Sequence, residues 1–109
     1  MITEEKKKAI FKCLHPSDYI CAPNNFCLIF KMNSVSGYFK VEVFSNDVTL
    51  SYHKSHIQYR LIYIFNSFGD IIYTSSSSDY NFLKEALKEK VQAIQNILKP
   101  NSVRFIKED

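Results

Sequence analysis

The chain has no tryptophan, two glycines, three prolines and two arginines among 109 residues. With glycine only at Gly37 and Gly69, a loop that cradles phosphate with backbone amides has almost no material. Neither the P-loop nor the dinucleotide-binding glycine pattern occurs, and the H-E-x-x-H motif and the nucleophile elbow are missing as well. These gaps predict a protein that is not an enzyme and carries no cofactor. No apolar run approaches the roughly 18 residues needed to span a bilayer, which predicts no membrane partner. The net charge of +3 falls short of the domain-wide basicity of a dedicated nucleic-acid binder.

Cysteine is sparse and unpaired in pattern. Cys13, Cys21 and Cys27 are an odd number without a C-x-x-C, and Met1-Ile2-Thr3 leads directly into Glu4-Glu5-Lys6-Lys7-Lys8 with no signal-peptide pattern. Reduced thiols and a cytoplasmic location are the expectation. The abundant residues carry their own message: twelve Lys, twelve Ile and eight Asn against four Ala. The first three have A/T-rich codons, so composition alone explains part of the lysine and tyrosine content. Seven Tyr and nine Phe supply ample material for one core, and the length suits a single domain over residues 1–109.

The stretch from Ile57 to Tyr73 organises the rest. Ile57, Tyr59, Leu61, Tyr63 and Phe65 alternate along one side of a strand, and Ile62 and Ile64 make part of the other side apolar too. A strand apolar on both faces is central. Asn66–Asp70 has the length of a hairpin loop and Ile71–Tyr73 returns as its partner. Before it, Thr3 caps a short amphipathic helix over residues 3–14, which His15-Pro16 stops. A ten-residue connection leads to an apolar strand over Phe26–Met32, then Asn33–Gly37 turns the chain into Tyr38–Phe44. Ser45-Asn46-Asp47 turns it again into Val48–His53, with Thr49, Ser51 and His53 outward. After Ser75–Ser78 and Asp79, Leu83, Leu87, Val91, Ile94 and Leu98 recur at helical spacing over residues 80–98, and Lys99-Pro100 ends that helix. Val103–Ile106 forms a last short strand or a docked tail. The fold class is therefore α+β: a five-stranded antiparallel meander sheet with a short N-terminal helix and a long C-terminal helix packed on one face.

Each candidate site has a plain alternative. Cys13, His15, Cys21 and Cys27 are zinc-ligand types, but C-x-H-x5-C-x5-C lacks paired knuckles. Cys13 on a helix stripe and Cys27 in a strand behave as small hydrophobes, so no metal site is expected. His53 and His56 bracket a turn, where solvated histidines are the common case. A catalytic meeting of Cys13 or Cys21 with His15 would require an unusually reactive thiol. Lys6, Lys7, Lys8, Lys12, Lys84 and Lys88 could attract phosphate, although interleaved Glu4, Glu5, Glu85 and Glu89 describe an ordinary solvated helix surface. The remaining signal is aromatic. Tyr52, Tyr59, Tyr63 and Tyr73 fall on three consecutive strands, with Arg60 among them, and Tyr and Arg dominate interface hot spots. The expectation is a protein-binding module, such as a small inhibitor, immunity protein or adaptor of an intracellular partner, with binding residues Tyr52, Tyr59, Arg60, Tyr63 and Tyr73. Nucleic-acid binding through the helix lysines is the alternative, and an exposed edge strand leaves a homodimer open.

Overall fold

The computed structural model describes residues 1–14 and 27–99; the expectations for His15, Cys21, the connection over 16–25 and the segment over 103–106 lie outside them. Helix α1 runs Glu4–Cys13 and begins where the sequence marks it. The Thr3 hydroxyl accepts the Lys6 amide at 3.1 Å, satisfying one of the amides that a helix start leaves free. Glu4 and Glu5 occupy the first turn and Lys12 the last, each sign at the end of the dipole that favours it.

Five strands follow: β1 (Cys27–Phe30), β2 (Tyr38–Val43), β3 (Asp47–His53), β4 (Tyr59–Asn66) and β5 (Ile71–Thr74). They pair in sequential order and every pair is antiparallel, the meander that short connections favour. Phe39, Val41 and Val43 of β2 lie opposite Tyr52, Leu50 and Val48 of β3. With Leu28 and Phe30 of β1 they form the core-facing side. Tyr38, Lys40 and Glu42 lie opposite His53, Ser51 and Thr49 on the other side, hereafter the outer face.

Strand β4 departs from simple alternation. Leu50 pairs with Tyr63, yet Ser51 pairs with Leu61, so Ile62 is one extra residue and forms a β-bulge. The expectation that Ile57, Tyr59, Leu61, Tyr63 and Phe65 share one side is thereby corrected. Tyr63 and Phe65 face the core opposite Leu50 and Val48, whereas Leu61 and Tyr59 lie opposite Ser51 and His53 on the outer face. Ile57 precedes the strand altogether. The bulge puts two successive side chains, Ile62 and Tyr63, into the core, and burial of both is what favours it over strict alternation. A second irregularity leaves Ile72 unpaired between the Ile64–Tyr73 and Phe65–Ile71 pairs.

Ser77 caps a 3-10 turn at Ser78–Tyr80 by accepting the Asp79 amide. Helices α2 (Asn81–Ala86) and α3 (Lys88–Leu98) follow. The single helix expected over 80–98 is thus bent at Leu87, where ψ is −2°. The hydrogen-bond ladder crosses the bend, with the Leu87 amide on the Leu83 carbonyl and the Val91 amide on the Leu87 carbonyl, both at 2.9 Å. No Pro or Gly stands there, and Leu83 and Leu87 are both fully buried, so the bend follows the core and not a local breaker.

Ile10, Phe11 and Leu14 from the first helical segment, Leu83, Leu87, Val91, Ile94 and Leu98 from the last, and the core-facing strand residues make one hydrophobic cluster. Two polar contacts tie its periphery: Lys6 Nζ donates to the Leu98 carbonyl at 3.2 Å, and Gln95 Nε2 to the Gly69 carbonyl at 2.9 Å. Among the described residues no helix is long and apolar enough to cross a membrane.

Candidate functional site

The connection from β3 to β4 closes tightly on itself. The Lys54 and Ser55 amides donate to the Gln58 carbonyl at 2.9 and 3.3 Å, and the Gln58 amide donates back to the Ser55 hydroxyl at 3.2 Å. This loop holds Ile57 out at 87% exposure. Beside it lies a cleft of about 590 Å³ lined by Ser36, Tyr52, Lys54, Ile57, Gln58, Tyr59, Arg60, Tyr80, Phe82 and Leu83. Tyr59 and Phe82 are 65% and 61% exposed at its walls. Arg60 pairs across the strands with Tyr52, and its guanidinium carbon stands 5.9 Å from the centre of the Tyr80 ring, within the range of a cation–π contact. The Tyr52 hydroxyl donates to the Ser36 carbonyl at 2.6 Å. The next residue, Gly37, has φ +84°, and a Cβ there would collide with the His53 carbonyl oxygen.

A second cavity of about 470 Å³ opens on the outer face, lined by Tyr38, Lys40, Glu42, Ser51, His53, His56 and Tyr59. The strand register puts Tyr38, His53 and Tyr59 side by side. The imidazole is therefore sandwiched, 4.9 Å from the Tyr38 ring and 5.0 Å from the Tyr59 ring, at interplanar angles of 10° and 12°. His53 is only 7% exposed, so the solvated turn histidine expected from the sequence is corrected: it is a strand residue shielded by two tyrosines. Burial, then the Lys40 charge, holds its pKa below the ordinary imidazole value, with Glu42 opposing. Ser51 Oγ lies 2.9 Å from Nε2, while Nδ1 is buried with no hydrogen-bond partner among the described residues. A hydroxyl beside an imidazole is half of a nucleophile–base arrangement. The group that would orient the ring through Nδ1 is missing among the described residues. His56 is exposed.

Of the five residues named from sequence, the cleft brings together Tyr52, Tyr59 and Arg60. Tyr63 lies in the core, where burial pushes its phenol pKa up against a hydrogen bond with Thr74. Tyr73 sits exposed on edge strand β5, opposite Ile64. Sequence reasoning missed Tyr80, Phe82 and Lys54 as walls of the cleft. Phe82 did carry a signal, being a large apolar residue one position ahead of the Leu83–Leu87–Val91 stripe. Cys27 is buried, and half-buried Cys13 donates its thiol to the Ile10 carbonyl at 3.0 Å; burial pushes the Cys13 pKa up. Among the described residues no group of three His, Cys, Asp or Glu side chains is placed to hold a metal ion.

No protein-family model, curated protein or solved structure matches this chain.

Proposed function

We propose that the protein is a non-enzymatic protein-binding module, a small inhibitor, immunity protein or adaptor, whose docking surface is the cleft at the β3–β4 end of the sheet. One observation carries this reading: Ile57, Tyr59 and Phe82, all largely exposed, converge on one concave surface beside Arg60 braced on Tyr80. Single exposed apolar residues need no explanation, but grouped around a cleft with Tyr and Arg they have the make-up of an interface hot spot. In this reading α1 and the bent α2–α3 segment cover one face of the sheet, and the first residues of α2 line the cleft.

The nucleic-acid alternative finds less support. Lys6 and Lys84 donate to the carbonyls of Leu98 and Ser75, and Lys7 pairs with Glu4 at 3.1 Å. Half of the six lysines named for phosphate contact are thus already engaged. The test is affinity capture from the native host lysate with wild type and with an Ile57→Ser/Phe82→Ser variant of unchanged circular dichroism, at low and high salt and with nuclease. A stoichiometric protein retained through salt and nuclease by wild type and lost by the variant supports the reading. Nucleic acid that is lost with salt, with no protein retained, overturns it.

A further inference from the structure

We infer that the partner offers this cleft an acidic segment: a carboxylate that meets Arg60 and Lys54, next to an aliphatic or aromatic side chain that fills the space between Ile57 and Phe82. The inference rests on the protein-binding reading above and specifies its chemistry.

Charge complementarity is the first argument. The cleft is lined by two cations and no carboxylate, and neither Arg60 nor Lys54 has a salt-bridge partner among the described residues. A basic segment would be repelled and a neutral one would leave both charges without a counterpart at the contact, whereas an acidic one is matched in sign. Geometry is the second. The guanidinium carbon lies 5.9 Å from the centre of the Tyr80 ring at the cleft wall, and a guanidinium's planar fork of donors matches a carboxylate in pairs. The size is the third: about 590 Å³ lies in the range of sites that enclose a small ligand, enough for an anchoring side chain and its neighbour but not for a helix. A single nucleic-acid strand would also bring negative charge, but it binds by stacking bases on free aromatic faces. Here Tyr80 already has Arg60 over its ring and Tyr59 has His53 against one side; Phe82 remains exposed, but its neighbours in the wall include the aliphatic Ile57 and Leu83.

The experiment is selection of a displayed random-peptide library on the immobilised full chain. Enriched peptides are then labelled and titrated by fluorescence anisotropy against wild type, Arg60→Glu, Lys54→Glu and Ile57→Ser. Arg60 and Lys54 are exposed, so charge reversal leaves the fold intact, with circular dichroism as the check. The expected result is enrichment of an acid beside a bulky apolar residue, weakening by about tenfold or more in Arg60→Glu, and recovery on that variant when the peptide's acid is replaced by lysine. Peptides that lose binding with Ile57→Ser but are indifferent to both charge reversals would overturn the acidic segment while leaving the protein-binding reading in place. A labelled oligouridylate that binds more tightly than any selected peptide, and is released by Arg60→Glu, would overturn both.

Discussion

Acid should destabilise the protein through His53, and the size of the effect follows from its surroundings. The ring is sandwiched by Tyr38 and Tyr59 and almost fully shielded, and burial together with Lys40 sets its folded pKa below the ordinary 6.5. A base with a depressed folded pKa binds more protons when unfolded. Its contribution is therefore complete above about pH 6.5 and falls as pH drops through the unfolded pKa, levelling off only below the folded one. For one proton the slope is at most about 1.4 kcal/mol per pH unit, and integrating from about pH 7 to about pH 5.5 bounds the loss at about 1.2 kcal/mol. Against a total of about 5–15 kcal/mol for a domain, that is a readable fraction. The perturbation is His53→Phe, which keeps a flat ring between the tyrosines and removes the titration. It also gives up the Ser51 hydrogen bond, a constant offset of about 1 kcal/mol. Urea unfolding of both proteins at the two pH values gives the answer, because every other ionisable group is common to both and cancels. Wild type should lose up to about 1 kcal/mol more than the variant on acidification, about half a molar in the urea midpoint. Equal losses would refute the idea that His53 is held neutral by its enclosure.

Two further expectations concern a turn beside the cleft and the end of α1. Gly37→Ala should cost about 2–4 kcal/mol, since it adds the penalty of positive φ to a collision with the His53 carbonyl oxygen; a melting temperature lowered by about 10 °C or more is the result to look for. Cys13, half-buried and with its pKa pushed up, should react with iodoacetamide at neutral pH several times more slowly in the folded protein than in urea. Labelling at the unfolded rate or faster would revive a reactive-thiol reading.

Most of the architecture was legible because the turns announce themselves. The Ser45–Asp47 turn pins Val43 opposite Val48, and counting outward from that pair reaches Tyr38 opposite His53. The sandwich around His53 was therefore implicit in the register, although its burial was not: Ser51 and His53 read as outward polar residues, and shielding depends on Tyr59 arriving from β4. The strand register there was hidden for a physical reason. Leu61, Ile62, Tyr63 and Ile64 are apolar without interruption, so a one-residue shift leaves no misplaced polar group to signal it. That is why Tyr63 was grouped with Tyr59 when the two lie on opposite sides of the sheet. The cleft was half legible. Tyr52, Tyr59 and Arg60 are neighbours in adjoining strands, whereas Tyr80 and Phe82 join them only through the seating of the bent helix, a long-range consequence of core packing.

The extra residue at Ile62 makes β4 a strand in two phases. Everything from Phe65 back to Tyr63 keeps one parity, and everything from Leu61 back to Tyr59 keeps the other. Were β4 to pair straight through without the bulge, Ser51 would meet Ile62, Tyr52 would meet Leu61 and His53 would meet Arg60: Tyr59 would rotate to the core-facing side, Arg60 would leave Tyr80 for the outer face, and His53 would lose one of its two flanking rings. The chemistry of this surface thus depends on the parity of a count as much as on the identity of any side chain. A one-residue slip of β4 past its bulge, more than a point substitution, is the change that would erase it in one step.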